Sequence, residues 1–195
     1  MRVTPADVLT IFRLVLTPVF LALFVIGQDG WALAVFCVAG ATDLIDGTVA
    51  RLTKSPSKMG ALLDPIADKA LIQTCFISLG VAKILPFWFV LFALARDLMI
   101  VTGIIYLTKT KVELPLRAIV VSKIATFSML LVAALGLAVK MDPGLAFMGL
   151  RLSVWLIYAV IVTSALILVS GVRYMMLGFE ILRRRRMHDE RYNSR

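Results

Sequence analysis

The segment LSVWLIYAVIVTSALILVSGV, residues 152–172, runs for twenty-one residues without a charge. A helix rises about 1.5 Å per residue, so this run crosses a hydrocarbon core of about 30 Å. The whole chain has the same character. Its mean hydropathy is +0.94, and 61% of its 195 residues are hydrophobic against 17% charged, a composition foreign to a soluble domain of this length. Five other apolar stretches, residues 8–26, 31–51, 60–82, 86–108 and 118–139, are shorter or interrupted by single charges, and each spans a bilayer if those charges are tolerated. The expected fold class is an all-α integral membrane protein with six transmembrane helices, a membrane domain over residues 1–182 and a basic tail over residues 183–195.

The first apolar stretch reads as an uncleaved helix and not as a signal peptide. Asp7 falls inside the would-be basic region, and no small-residue cleavage site precedes Gln28. The formal net charge of +9 could suggest nucleic acid, but its distribution argues otherwise. Arg51, Lys54 and Lys58 lie between the second and third stretches, Lys109, Lys111 and Arg117 between the fourth and fifth, and four arginines at 183–186 follow the sixth. The opposite connections hold Gln28, Asp29, Lys83, Lys140 and Asp142. Positive charge is retained on the cytoplasmic side, so both termini are expected there, with the arginine run as a topology anchor that attracts anionic headgroups. Cys37 and Cys75 read as small apolar residues, with neither a disulfide nor a metal site implied.

The carboxylates stand out against this background. The segment DLIDGTVARLTKSPSKMGALLDPIAD, residues 43–68, holds Asp43, Asp46, Asp64 and Asp68. Lys and Arg can reach headgroups from a helix end, so Arg13, Lys123 and Arg173 have a structural explanation. Aspartate is too short for that, and anionic headgroups repel it. Asp43 and Asp46 are spaced i, i+3 and Asp64 and Asp68 i, i+4, which puts each pair on one face of its helix. The short connection between the two helices predicts that they return antiparallel and side by side, with the two acid pairs facing each other. Four like charges at close range repel and protonate unless cations neutralise them. Carboxylate oxygen is a hard ligand suited to Mg²⁺ or Mn²⁺, and two such ions match four carboxylates. A divalent site at a membrane surface suits a phosphate-bearing substrate. Gly47, Ala50 and Gly60 leave room for a ligand to approach the backbone, and Arg51 can bind phosphate in a bidentate manner. Small-residue helix packing and charge anchoring account for each of these residues singly, but not for the set.

With these residues in view, the segment resembles the signature of the CDP-alcohol phosphotransferases, D-x2-D-G-x2-A-R-x8-G-x3-D-x3-D, with every spacing intact. The opening TPADVLTIFRL is similar to the family's Asn-x2-Thr-x2-Arg pattern, with Asp7 in place of Asn and Thr10 and Arg13 kept. The resemblance implies transfer of a phosphatidyl group from CDP-diacylglycerol to a lipid or polar alcohol acceptor, with release of CMP. It implies two Mg²⁺ or Mn²⁺ ions held by Asp43, Asp46, Asp64 and Asp68. It also implies a CDP-lipid site formed by Asp46, Gly47, Ala50, Arg51 and Gly60, Asp68 as the catalytic base, and a homodimer in the plasma membrane with its active site facing the cytoplasm. For an anionic acceptor the available cations are Arg96, Arg117 and Lys123. The segments ARDLMIVTGIIY and SKIATFS look more similar to family members that use phosphatidylglycerol, the cardiolipin synthases, than to those that use glycerol 3-phosphate, the close alternative. Two other classes compete. Membrane prenyltransferases use aspartate pairs with Mg²⁺ but lack the Gly-x2-Ala-Arg element. A cation transporter would explain the acids but neither Arg51 nor the glycines.

Overall fold

The computed structural model describes the backbone of residues 5–52, 60–110 and 116–193, and the side chains of residues 11–42, 69–102, 122–173 and 175–176. Among the described residues there are six helices: α1 Pro5–Val25, α2 Asp29–Leu52, α3 Gly60–Val81, α4 Phe87–Thr110, α5 Leu116–Met141 and α6 Leu152–Asn193. The expected windows correspond to these helices to within about three residues at most ends, the usual scatter of helix termini. α6 is the exception, continuing as helix through the arginine run. One element was not foreseen in an all-α chain: a two-residue hairpin, β1 Ala146–Phe147 and β2 Leu150–Arg151, paired antiparallel between α5 and α6. Met148 (φ 52°) and Gly149 (φ 79°) form its turn, and two successive positive φ angles match the right-handed twist of a tight hairpin.

Two stretches, Ser122–Met141 in α5 and Leu152–Arg173 in α6, are long and apolar enough to cross a membrane. Ile11–Val25, Asp29–Thr42 and Lys69–Val81 are shorter apolar stretches. Large apolar side chains such as Val25, Leu91, Ile157, Ile161 and Leu168 are more than half exposed around the outside of the bundle. That exposure is costly in water and ordinary in lipid.

The helix ends opposite the acid segment are closed by backbone hydrogen bonds. At the end of α1, Gly27 adopts a left-handed conformation, its N–H donating to Phe24 O (3.3 Å) while Gln28 N–H donates to Leu23 O (2.9 Å). α3 ends in the same way, with Lys83 (φ 58°) donating to Gly80 O and Ile84 to Leu79 O. Both are Schellman closures, which satisfy carbonyls that a helix C-terminus would leave unpaired. Lys140 at the end of α5 forms an ion pair with Asp29 at the start of α2 and lies 4.3 Å from the centroid of the Phe24 ring at the end of α1. Trp31, Trp88 and Trp155, each in the first turn or so of α2, α4 and α6, cluster at this same end. Such a tryptophan girdle is characteristic of a membrane interface.

The helices pack as a ring in the order α1, α3, α4, α6, α5, α2 and back to α1, with α3 touching α5 across the middle. The short 52–59 connection predicts that α2 and α3 lie side by side. Among the described residues they do not pack extensively on each other, and both pack instead on α1 and α5. α1 presents Phe20 toward Phe36 of α2 (centroids 6.1 Å apart), and α3 turns Phe76 toward Phe89 of α4 (5.5 Å, edge to face). α3 and α5 meet closely because Gly136 has no side chain. A Cβ there would lie 2.8 Å from Leu79 Cδ1.

Candidate active site

The backbone carries α2 as continuous helix through Asp43, Asp46, Gly47, Ala50 and Arg51, and α3 from Gly60 through Asp64 and Asp68. Each acid pair therefore falls on one face of its helix, as its spacing requires. Both pairs lie at the end of the bundle away from the tryptophans. The side chains of Asp43, Asp46, Gly47, Ala50, Arg51, Gly60, Asp64, Asp68 and Arg117 lie outside the described ones, and so does the question of whether the two pairs face each other. The donor set itself, four carboxylates on two helix faces at one end, fits hard divalent cations.

Deeper in the bundle is a described polar cluster. Asp97 of α4 is 5% exposed and accepts three hydrogen bonds. Lys69 Nζ and Arg96 Nη1 both donate to Oδ1 at 2.7 Å, and Gln73 Nε2 donates to Oδ2 at 2.5 Å. Arg96, 3% exposed, continues the cluster to α5. Its Nη2 donates to Ser122 O (3.0 Å) and Ser122 Oγ (2.8 Å), and Nη1 also donates to Thr126 Oγ1 (3.3 Å). A charged residue at the centre of a membrane helix costs about 2.5–3.5 kcal/mol when unsupported. Here each charge meets opposite charge and oriented dipoles.

Of the candidate acceptor-binding cations, Arg96 therefore points inward, with both terminal nitrogens engaged between α4 and α5, whereas Lys123 is exposed. Of the other basic residues, Arg13 is 2% exposed and turned into the bundle, and Arg173 is exposed. Ser122 and Thr126 belong to the SKIATFS segment, but sequence reasoning did not single out Lys69 or Gln73. A signal for both was present, because Lys69 and Gln73 are i, i+4 on an otherwise apolar stretch of α3, and such a polar stripe inside a membrane helix implies a buried partner. Cys75 is buried and Cys37 exposed, and both are free thiols.

Residues 3–166 match the profile of the CDP-alcohol phosphatidyltransferase family. A protein of Mycobacterium tuberculosis (strain ATCC 25618 / H37Rv), provisionally named as a cardiolipin synthase, is 36% identical over 125 residues, covering 64% of this chain and 59% of that protein. Cardiolipin synthase (CMP-forming) of Streptomyces coelicolor is 37% identical over 110 residues, covering 52% and 51%. A probable phosphatidylglycerophosphate synthase of the same Mycobacterium strain is 42% identical over 99 residues, covering 48% and 47%. The chain thus spans between about half and three-fifths of the length of these relatives. The family profile covers the larger part of the chain, including both helices of the acid signature, and the chain is a membrane-embedded member of the CDP-alcohol phosphatidyltransferase family.

Proposed function

We propose that the protein transfers the phosphatidyl group of CDP-diacylglycerol to phosphatidylglycerol, forming cardiolipin and releasing CMP. The observation that carries this reading is the complete eight-position signature on two continuous helices at one end of the bundle, within a chain of this family. The relatives named as cardiolipin synthases support the choice of acceptor. Glycerol 3-phosphate is the second reading, supported by the relative named as a phosphatidylglycerophosphate synthase.

In this proposal six helices span the plasma membrane, both termini are cytoplasmic, and the acid end faces the cytoplasm. The tryptophan girdle at the other end and the basic connections at the acid end support that orientation. The acyl chains of the donor stay in lipid while its diphosphate enters among α2 and α3. Gly47, Ala50 and Gly60 leave space for the nucleotide, and Arg51 binds a phosphate oxygen. Asp43, Asp46, Asp64 and Asp68 would hold two divalent ions, Mg²⁺ or Mn²⁺, which when bound offset the charge on the diphosphate and on departing CMP. Asp68 takes the proton of the acceptor hydroxyl as that oxygen bonds to the phosphatidyl phosphorus and the bridging P–O bond to CMP breaks. Carboxylate is a weak base for an alcohol, so Asp68 acts only within hydrogen-bond reach of a polarised hydroxyl. Lys123 and Arg117 meet the acceptor's phosphate, and Arg96 supports them from the α4–α5 interface. The assembly is a homodimer.

The test is CMP release by purified protein supplied with CDP-diacylglycerol and Mg²⁺ or Mn²⁺, with phosphatidylglycerol or glycerol 3-phosphate in separate reactions. Stimulation by phosphatidylglycerol is expected. Stimulation by glycerol 3-phosphate alone would replace the first reading with the second, and absence of release with either would overturn both.

A further inference from the structure

We propose that Asp97 is a positioning residue for the acid pair of α3: by clamping Lys69 and Gln73 it sets the rotation and depth of the helix start that carries Asp64 and Asp68. This rests on the reading of those acids as metal-holding residues.

The geometry of the clamp is specific. Lys69 and Gln73 lie one turn apart on a single stripe of α3, and they donate to the two different oxygens of one carboxylate, at 2.7 and 2.5 Å. One contact would leave the helix free to roll about its axis. Two contacts a turn apart, to two atoms of a group that is itself held, oppose both rolling and sliding. Asp97 is held in this way, because Arg96 bonds its Oδ1 and is anchored on α5 through the carbonyl and hydroxyl of Ser122 and through Thr126. Two helices thus meet at one buried carboxylate, and Arg96 ties it to a third.

The position along α3 gives the clamp its consequence. Lys69 is the residue after Asp68, and it lies ahead of Leu71, Ile72, Cys75 and Phe76, the first run of fully packed apolar side chains among the described residues of α3. Among the described residues the ion pair is therefore the contact nearest to the acids that fixes the helix from the side of α4. The Lys69 side chain keeps 27% of its exposure, against 7% for Asp97, so the ammonium is at the boundary between the buried cluster and the acid end. Groups that orient metal-binding side chains without touching the ion commonly matter about 10- to 100-fold in metal affinity or activity, because a misplaced carboxylate loses much of its coordination.

A purely structural role for the cluster would also account for a buried Asp97 with three donors. The two roles differ in what they change. The experiment uses full-length protein in detergent with Asp97→Asn, Lys69→Gln, the double variant and Lys69→Arg. It measures Mn²⁺ affinity from the electron paramagnetic resonance signal of free Mn²⁺ without substrate, melting temperature without metal, and kcat and KM for CDP-diacylglycerol. Asp97→Asn and Lys69→Gln should each weaken Mn²⁺ binding by about 10-fold or more and lower kcat by a similar factor, with KM changed by less than about threefold. The double variant should be no worse than either single variant, since both cut the same link. Lys69→Arg should recover most of the lost Mn²⁺ affinity. Unchanged Mn²⁺ affinity in Lys69→Gln would overturn the proposal, as would losses that multiply in the double variant, or a lowered melting temperature with intact metal binding. If Asp97→Asn does not fold, Lys69→Gln at its partly exposed position decides the matter alone. Wild-type protein that neither binds Mn²⁺ nor releases CMP would sink the functional reading itself. Active, Mn²⁺-binding wild type with unaltered Lys69→Gln would sink this inference alone.

Discussion

A carboxylate on a membrane helix keeps its charge where cations, donors or water meet it. Asp97 is met by Lys69, Arg96 and Gln73, a set assembled from two helices. The four signature acids share only three basic residues within their own segment, Arg51, Lys54 and Lys58. Bound divalent ions are the proposed answer, and that yields a prediction for single residues. Asp68→Asn removes the proposed base while keeping the side chain's size, and should lower kcat by about 10²- to 10⁴-fold. Asp64→Asn should abolish turnover through the metal site. Both variants should elute as folded protein with a melting temperature near that of wild type, and CMP release at the wild-type rate in either would remove that residue from the mechanism. The spacing of these acids was legible without coordinates, since it needs only the helical period. For Lys69 the need for a partner was legible, but not the partner, which lies 28 residues away.

Individual helices followed closely from their apolar runs, with α5 and α6 the clearest. Among the described residues the charges deep in α4 are seen to pair, Arg96 with Asp97 and Asp97 with Lys69 of α3. After α5 the Asp142-Pro143-Gly144 segment forms a turn, with Gly144 N–H donating to Asp142 Oδ1 at 2.8 Å. The hairpin that follows was missed because its strands are two residues each, too short for any alternation to register. Close approach of helices yields a second prediction. Gly136 of α5 faces Leu79 of α3, and a branched side chain there must displace it. Gly136→Val should destabilise the protein by about 1–3 kcal/mol through overpacking. A lowered melting temperature in the same detergent checks it, and an unchanged one would mean that the α3–α5 contact gives way easily.

At the scale of the molecule, α6 has 42 residues and so extends on the order of 60 Å, about twice the hydrocarbon thickness. In the proposed topology its C-terminal half, with the four arginines, continues beyond the bilayer. A basic segment beside the membrane attracts anionic lipid by about 1 kcal/mol per residue near the surface, and the proposed acceptor is itself anionic. Deleting residues 183–195 should accordingly raise KM for phosphatidylglycerol about fivefold in bilayers where it is dilute, with kcat retained, and the difference should vanish at high salt. Kinetics of the truncated protein at two salt concentrations tests this, and a salt-independent loss of kcat would instead assign the tail to the catalytic fold.

By itself the sequence determined the membrane class, the number of helices, the clustering of positive charge in alternate connections and the acid signature. All of these are recorded in length, composition and spacing along one segment at a time. Which helices are neighbours was decided by the tertiary structure. The short connection between α2 and α3 suggested a directly packed pair, whereas among the described residues α2 and α3 each pack on α1 and α5. The same ring order brings Lys69 and Gln73 onto Asp97 and carries Arg96 to Ser122, across separations of 24 to 28 residues. A local pattern states that a buried charge needs a partner, and only packing selects which one it meets.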